Sequence, residues 1–285
     1  MSLSPRAPLA ALLVSLLLSP AALAVEVIAH RGASYDAPEN TVAALKLGFE
    51  QDADAGELDL HLSRDGKLVV IHDPDTKRTA GVDKKVVEQT FDELRRLDVG
   101  KFEQWAGQGF SAKVPTLDEC LALVPPGKKM FIEIKCKEEA LPPLEASLRK
   151  SKLKPEQAVI ITFHHEVAAA AKKRFPNLKV YWLHSYNKDK ETGQYPDLDE
   201  LIRRAKEAGV DGLNLNHNFP LDAVNVRKIK AAGLGCYTWT VDDPVKARQL
   251  AEAGVDGITT NRPAFIREQL ESAAKPATEP AGAAR

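Results

Sequence analysis

Short runs of apolar and β-branched residues alternate along the chain with segments whose apolar residues recur three and four positions apart. The first pattern predicts buried strands and the second predicts amphipathic helices, such as TVAALKLGFEQ, DLDELIRRAKEAG and VKARQLAEAG. Strands that alternate with helices indicate parallel pairing through crossover connections. The strand runs, in chain order, are VEVIAH, ELDLHL, MFIEIKC, AVIITF, KVYWLH, GLNLN, CYTWTV and GITTN.

The number of strand runs favours one architecture. Eight runs, each leading toward a helix, predict an α/β fold of the (β/α)8 TIM-barrel type. The segments EAGVDGLNLN and EAGVDGITTN form a weak internal repeat, since each joins the end of a helix directly to a strand. A doubly wound open sheet is the alternative. It needs fewer strands, and no Gly-rich dinucleotide loop follows the first strand.

One stretch interrupts the alternation. Residues 74–115 contain a short helical segment, TFDELRRLDVG, but no run typical of a barrel strand. They follow the second strand and the extended run KLVVIHD, which comes after a turn at Asp65-Gly66. We therefore predict one barrel over residues 25–271, with a small inserted subdomain that packs over one end of it.

The first 24 residues have the pattern of a secretory signal peptide. Arg6 is followed by the apolar run LAALLVSLLLS and by the small-residue ending PAALA. We predict cleavage after Ala24 and a periplasmic or secreted protein. An uncleaved anchor is the alternative, because no charge occurs from Ala7 to Val25. No later segment approaches membrane-spanning length, so the processed chain is not expected to insert stably into a membrane.

Composition and charge narrow the function only slightly. The chain is 44% hydrophobic and 28% charged, which is typical of a soluble globular protein. Its formal net charge of −1 favours neither nucleic acid nor an anionic membrane, so any phosphate recognition must be local. The three cysteines are too few, and odd in number, for a disulfide framework. They are predicted to be buried thiols, and one disulfide between two of them is the alternative. Residues 272–285 are predicted to be disordered. No feature specifies an oligomeric state.

Charged and imidazole side chains occur where the first strands end. In a barrel of this type the carboxyl ends of the strands meet at one face, which is where the chemistry takes place. Two residues spaced two apart on a strand also point to the same side of it. The groups in question are His30 with Arg31, Glu57 with Asp59, His72 with Asp73, and Glu133 with Lys135.

The residue types in this set indicate phosphate chemistry. Glu57, Asp59 and Glu133 make an oxygen-rich site suited to one divalent cation, Ca²⁺ or Mg²⁺, rather than to zinc. Arg31 and Lys135 provide fixed positive charge for a phosphate. The two histidines, at positions 30 and 72, can transfer protons near neutral pH. Together these groups predict cleavage of a phosphodiester.

The motifs resemble those of glycerophosphodiester phosphodiesterases, of the exported bacterial type. The similar segments are HRG with PENT, ELDLHLSRDGKLVVIHD, RT and LRRLDVG of the insertion, VPTLDECL, FIEIK, TWTV and GVDGITTNRP. They occur in order over about residues 26–270. The resemblance implies a single barrel with an inserted subdomain, one divalent cation, and hydrolysis of a small-molecule diester to glycerol 3-phosphate and an alcohol.

By position in these motifs, His30 and His72 take the acid and base roles. Glu57, Asp59 and Glu133 take the metal, and Arg31 and Lys135 take the phosphate. Which histidine is the acid stays open, as does the choice of nucleophile between water and the glycerol 2-hydroxyl. Members of the family often have aspartate where this chain has Asn261, a position expected to cap a loop.

Four further residues are weaker candidates. Trp239 is expected to stack on the glycerol moiety, and Phe163 to form a wall of the pocket; barrel packing is the alternative for both. Glu39 and Asn40 are expected to brace the first loop, with Glu39 orienting His30; capping of the first helix is the equal alternative for both.

Two other functions are compatible with the residues. A phospholipase D-type reaction on lysophospholipids or sphingolipids would need an apolar surface for an acyl chain. The insertion is mostly polar, but Phe102, Trp105 and Phe110 keep this alternative open. A non-catalytic phosphodiester-binding protein is disfavoured, because both histidines and all three carboxylates are present.

Overall fold

Every strand run predicted from the sequence forms a strand, and a helix follows each of them along the chain. The strands are β1 (Glu26–Ala29), β2 (Ala55–Leu62), β3 (Leu68–Val70), β4 (Asp75–Thr76), β5 (Val82–Lys85), β6 (Lys129–Ile134), β7 (Ala158–Thr162), β8 (Lys179–His184), β9 (Gly212–Asn216), β10 (Gly235–Trp239) and β11 (Gly257–Thr260). The helices are α1 (Val42–Glu50), α2 (Lys77–Ala80), α3 (Phe91–Arg96), α4 (Leu117–Leu121), α5 (Leu141–Lys150), α6 (His165–Arg174), α7 (Leu198–Glu207), α8 (Ala223–Ala231), α9 (Pro244–Ala253) and α10 (Pro263–Ala274).

Eight parallel strands close into a barrel in this computed structural model, which describes residues 25–274. They pair in the order β1-β11-β10-β9-β8-β7-β6-β2, and β1 also pairs with β2, which completes the ring. At the closure Val27 lies opposite Ile258. The predicted (β/α)8 barrel is therefore confirmed, and the open-sheet alternative is wrong.

Local sequence explains where the helices begin and end. Thr41 precedes α1, and its Oγ1 accepts a hydrogen bond from the Ala44 amide over 3.1 Å. Asp243 caps α9 in the same way, with Pro244 at the first helical position. Helix α9 ends at Gly254, whose φ of 90° is accessible to glycine at little cost. These residues fix the start of α1 and both ends of α9, and after each helix the chain continues into the next strand.

The apolar residues form two main layers. Side chains from the outer faces of the strands pack against the surrounding helices. Ile132 and Leu215 of the strands and Ile229 of α8 are completely buried in this layer. A smaller cluster fills the barrel interior. Its central residue is Phe131, whose ring lies 5.4 Å from that of Tyr237 and 6.3 Å from that of Tyr181. The filled interior makes the barrel a rigid support for groups at its rim.

Replacing Phe131 with alanine is expected to lower the free energy of unfolding by ~3–5 kcal/mol, because the cavity lies in a closely packed barrel interior. Denaturant unfolding followed by circular dichroism measures the change. Val245→Ala on the exposed surface of α9 is the control, with an expected change within ~0.5 kcal/mol. A loss below ~1 kcal/mol for Phe131→Ala would show that the interior collapses around the cavity.

The inserted subdomain predicted between the second strand and α4 is present. Strand β3 pairs antiparallel with β2, and β4 and β5 form a separate two-stranded sheet beside α2 and α3. The insertion has its own small core, formed by Val69, Ile71, Val86, Leu94, Val99 and Val114. Because β2 runs directly into this unit, the insertion stands next to the carboxyl end of the barrel.

The remaining sequence predictions concern the chain ends and the cysteines. The predicted signal peptide and residues 275–285 lie outside the described residues, and α10 continues to Ala274. The three cysteines are free thiols, two of them buried. Within residues 25–274, no helix combines the length and the hydropathy needed to cross a membrane.

Candidate active site

A cavity of about 150 Å³ opens at the carboxyl ends of the barrel strands. Nine residues were predicted to transfer protons or to contact the metal or the substrate. Eight of them border the cavity, and the ninth, Asp59, is buried directly beside them. The eight are His30, Arg31, Glu57, His72, Glu133, Lys135, Phe163 and Trp239. The barrel therefore brings together residues that are more than 200 positions apart in the sequence.

Three carboxylates form the floor on one side. One oxygen each from Glu57, Asp59 and Glu133 lies within 4.8 Å of the others, and all three residues are buried. Ca²⁺ and Mg²⁺ hold their oxygen ligands at about 2.0–2.6 Å, so two oxygens bound to one ion are at most about 5 Å apart. The donor set and its spacing therefore fit a hard divalent cation.

Burial and mutual repulsion shift the pKa values of these carboxyls apart. Burial raises the pKa of Glu57 well above its ordinary value, and the charges of Asp59 and Glu133 raise it further. Burial and the charge of Asp59 raise the pKa of Glu133 to about 7. Burial acts in the same direction on Asp59, but the charges of Arg31 and Lys135 outweigh it and hold its pKa below the usual range. A cation among these groups would relieve the repulsion.

Without a metal, ionisation of Glu133 is expected to lower the stability of the protein as the pH rises from about 4.5 to 7. The pKa of Glu133 is raised from 4.5 to about 7, so at this group the folded state binds more protons than the unfolded state, and its contribution to ∂ΔG/∂pH for unfolding is negative. The lowered pKa of His30 contributes with the opposite sign, so the Glu133 contribution is read from the difference between the wild type and Glu133→Gln. Thermal melts in EDTA between pH 5 and 8 measure this trend. The wild type should lose stability relative to Glu133→Gln over this range, and a difference that does not change with pH would contradict the assignment.

Two cationic side chains border the carboxylates. The Arg31 amide donates to Glu57 Oε2 over 2.8 Å, an orientation that uses a left-handed φ of 53°. The Arg31 guanidinium donates to Glu39 over 2.9 Å, and its Nε lies 3.3 Å from Asp59 Oδ2. The Nζ atom of Lys135 lies 2.9 Å from Glu133 Oε1. Both cations also face the cavity, where they can contact phosphate oxygens.

His30 is held by a neutral amide. Its Nδ1 lies 2.7 Å from Oδ1 of Asn261, an oxygen that only accepts, so Nδ1 carries the proton and Nε2 keeps its lone pair. The Nδ2 of Asn261 donates in turn to Asp242 over 2.6 Å. Burial and the neighbouring Arg31 lower the pKa of His30 to about 4. The loop-cap interpretation of Asn261 is incomplete, because this side chain orients a pocket histidine.

His72 is held by a carboxylate. Its Nδ1 lies 2.7 Å from Oδ1 of Asp73, and Arg78 contacts the same carboxylate from the other side. Burial lowers the pKa of His72, although the charge of Asp59 acts in the opposite direction. Partial burial would raise the pKa of Asp73, but the hydrogen bonds from Arg78 and His72 bring it down to about 2. The two histidines thus have different supports.

Glu39 and Asn40 of the PENT motif brace the first loop as expected, although with other partners than His30. Glu39 pairs with Arg31 and Arg78 rather than orienting His30 or capping α1. Asn40 is buried with a φ of 56°; its Nδ2 donates to Asp59 Oδ2 over 2.8 Å, and its Oδ1 accepts from the Asp59 amide. This loop therefore fixes one of the three clustered carboxylates, as well as Arg31.

An aromatic wall faces the charged groups. The rings of Phe163 and Trp239 meet edge to face at 5.4 Å, and Lys135 Nζ lies 5.9 Å from the centre of the Phe163 ring. Between them Asn214 lines the cavity, with a buried Oδ1 that has no hydrogen-bond partner in the described structure. The sequence reasoning missed Asn214. Its signal is one polar residue between the leucines of GLNLN, directed to the opposite side of β9.

Most of the chain matches one known protein family. The family model "Glycerophosphoryl diester phosphodiesterase family" matches residues 30–265. A glycerophosphodiester phosphodiesterase of Caldanaerobacter subterraneus subsp. tengcongensis is 36% identical over 247 residues, which cover 83% of this chain and 94% of the relative. One of Bacillus subtilis is 33% identical over 253 residues, which cover 83% of each chain.

Solved structures show the same similarity. An Oleispira antarctica phosphodiesterase in complex with the product sn-glycerol-3-phosphate superposes with a TM-score of 0.76 at 28% identity, covering 86% of this chain and 96% of the other. A Silicibacter pomeroyi protein shares the fold, with a TM-score of 0.78 at 24% identity over 89% of this chain and 95% of the other.

Proposed function

Since the chain belongs to the glycerophosphoryl diester phosphodiesterase family, and is therefore a phosphodiesterase, we propose that it hydrolyses glycerophosphodiesters with the help of one divalent cation. Substrates such as glycerophosphocholine or glycerophosphoethanolamine would yield sn-glycerol 3-phosphate and an alcohol. The observation that carries the proposal is one small cavity at which the carboxylate cluster, two histidines and the positively charged side chains of Arg31 and Lys135 come together.

In the proposed mechanism, Arg31 and Lys135 bind the nonbridging phosphate oxygens and stabilise the charge that develops on them. One histidine removes a proton from the attacking hydroxyl, which belongs to water or to the glycerol 2-position, and the other protonates the departing alcohol. Glu57, Asp59 and Glu133 would hold the cation, Ca²⁺ or Mg²⁺, which supplies Lewis-acid polarisation of the phosphate when bound. Trp239 and Phe163 would contact the glycerol moiety.

The dimensions of the site favour small headgroup diesters over lysophospholipids. The cavity is about 150 Å³, smaller than typical pockets for drug-sized ligands. Phe102 and Trp105, two of the three aromatic residues that could have formed an acyl-chain surface, are buried in the insertion. The third, Phe110, packs its ring 5.1 Å from that of Trp105. Phospholipase D-type action is therefore the second candidate.

A product assay tests the proposed substrate class. Purified enzyme with Ca²⁺ or Mg²⁺ is incubated with glycerophosphocholine or with lysophosphatidylcholine, and glycerol 3-phosphate, choline and lysophosphatidic acid are measured. We expect glycerol 3-phosphate and choline from the first substrate and little product from the second. Faster release of choline and lysophosphatidic acid from the second would favour the phospholipase D-type reaction. Binding of glycerophosphocholine without turnover would indicate a binding protein.

We also propose that the protein is exported to the periplasm or the medium, on the basis of the signal-peptide pattern in residues 1–24. N-terminal sequencing of the protein from the exporting cell should give Val25 as the first residue. Membrane-bound activity that retains residues 1–24 would favour an anchor.

A further inference from the structure

Arg78, on the short helix α2 of the insertion, lies at the centre of an ion-pair network at the edge of the pocket. Its Nε and Nη2 atoms donate to the two oxygens of Asp73 over 2.7 and 3.2 Å. Its Nη1 and Nη2 atoms donate to the two oxygens of Glu39 over 3.0 and 2.8 Å. One planar guanidinium therefore makes paired contacts with two carboxylates. A lysine cannot reproduce this arrangement, because its ammonium group is a single point charge.

Each of the two carboxylates holds a residue that borders the cavity. Asp73 Oδ1 lies 2.7 Å from Nδ1 of His72, and Glu39 Oε1 accepts from Nη1 of Arg31 over 2.9 Å. Arg78 itself does not border the cavity. Arg78 therefore contacts neither the carboxylate cluster nor the cavity. It contacts Asp73 and Glu39, which in turn hold His72 and Arg31 at the cavity.

The residues around Arg78 hold its guanidinium group in one orientation. The side chains of Arg78, Asp73 and Glu39 are 29%, 22% and 15% exposed, so their attraction is screened less than that of a surface pair. The ring of Phe102 covers the guanidinium at 5.4 Å and restricts its movement. Phe102 belongs to the insertion, so this part of the chain completes the support.

We propose that Arg78 is a positioning residue that fixes His72 and Arg31 together through Asp73 and Glu39. The inference rests on the proposed function, since it assigns the support of groups that act in that reaction. It gives the inserted subdomain a role in catalysis: the insertion contributes the arginine that aligns a proton-transfer group with a phosphate-binding group. A displacement of about 1 Å at such groups can lower a rate by about 10²-fold.

Arg78→Lys keeps the positive charge but removes the planar guanidinium that contacts both carboxylates. The substitution therefore tests the positioning of the two carboxylates rather than the charge. We expect kcat to fall by about 10–100-fold, with a smaller change in KM. The matched control is Arg95→Lys. Arg95 also donates from both terminal nitrogens to one carboxylate, Glu119, and lies 5.9 Å from the ring of Phe91, but none of these residues borders the cavity. This control should keep wild-type kcat.

Two readouts separate positioning from a general effect on folding. In a double-mutant cycle, Arg78→Lys should lose much less activity in an Asp73→Asn background than in the wild type, because the two changes break one chain of contacts. Added guanidinium ion should restore part of the activity of Arg78→Ala, whereas methylammonium should not. Circular dichroism shows whether each variant is folded before it is assayed.

The outcomes distinguish this inference from the proposed function. If Arg78→Lys has wild-type kcat while His72→Ala is inactive, the positioning role is wrong and the proposed function stands. Full additivity of Arg78→Lys with Asp73→Asn would also overturn the positioning role. If His72→Ala retains wild-type turnover of glycerophosphocholine, the histidine step of the proposed function is wrong instead.

Discussion

Replacing His30 or His72 with alanine is expected to lower turnover by about 10²–10⁴-fold, because each variant loses a positioned proton-transfer group. Both imidazoles border the cavity, and each has its Nδ1 engaged by a separate partner, Asn261 or Asp73. The free Nε2 atom is then the one available to substrate. Substrate and metal binding should change much less than turnover, since neither histidine belongs to the carboxylate cluster.

Single-turnover assays of the two variants and of the double variant measure this effect. The two losses should be far from additive, because the loss of one partner already disables the concerted transfer. Melting curves serve as the control: both side chains face the pocket, so the melting temperature should change little. Near-normal turnover in either variant would remove that histidine from the mechanism. A lower melting temperature with modest loss of activity would instead indicate two structural histidines.

The pH dependence of kcat/KM gives an independent check. The pKa of His30 lies at about 4, because burial and the Arg31 guanidinium both oppose a positive charge on the ring. A limb of the kcat/KM profile that belongs to His30 is therefore expected at acid pH, and a bound cation would move it further in that direction. The profile should be bell-shaped in the wild type and lose one limb in each histidine variant. A profile unchanged in His30→Ala would contradict the assignment.

Removing one of the clustered carboxylates is expected to abolish metal binding and most turnover. In Glu57→Ala or Asp59→Ala two of the three clustered oxygens remain, and the fixed cations Arg31 and Lys135 then balance the remaining charge without a metal. Isothermal titration with Ca²⁺ and with Mg²⁺ should show no saturable binding in either variant. Chelation of the wild type should have the same effect on turnover as the substitutions.

Glu50→Gln is the matched control for these variants. Glu50 is an exposed carboxylate of α1 that pairs with Lys46 at 3.5 Å, and neither residue borders the cavity. The variant should bind the metal as the wild type does and retain its activity. Full activity of dialysed wild-type enzyme in excess EDTA would contradict the metal requirement. The carboxylates would then act as partners of Arg31 and Lys135 alone.

The sequence predicted the barrel and the grouping of the site for a simple physical reason. Buried parallel strands read as apolar runs, and a closed barrel places all their carboxyl ends on one face. Polar residues at those ends, such as Arg31 and Glu133, therefore had to meet. The periodicity alone was sufficient to place them within one cavity.

The sequence could not predict which polar atoms meet. His30 and Asn261 are 231 positions apart, and their contact depends on side-chain orientation at two separate strand ends. The partners of Glu39 could not be predicted for the same reason, since Arg31 lies in the loop after β1 and Arg78 lies on α2. Asn214 was missed because its only signal in the sequence is one polar residue between two leucines. Contacts of this kind depend on rotamers and loop geometry, which hydrophobic patterns do not encode.

The pairing of β1 with β11 has a consequence for the order of folding. Strand β1 is the first strand of the barrel, yet its partner β11 is synthesised after all the other barrel strands. Such distant contacts slow folding, because a large loop must close before they form. Asn261 follows β11 directly, so His30 acquires its partner only when the ring closes. A chain that is still being made can therefore assemble the Glu57, Asp59 and Glu133 cluster before it can orient His30. Catalytic competence should thus appear last, after the final strand has docked.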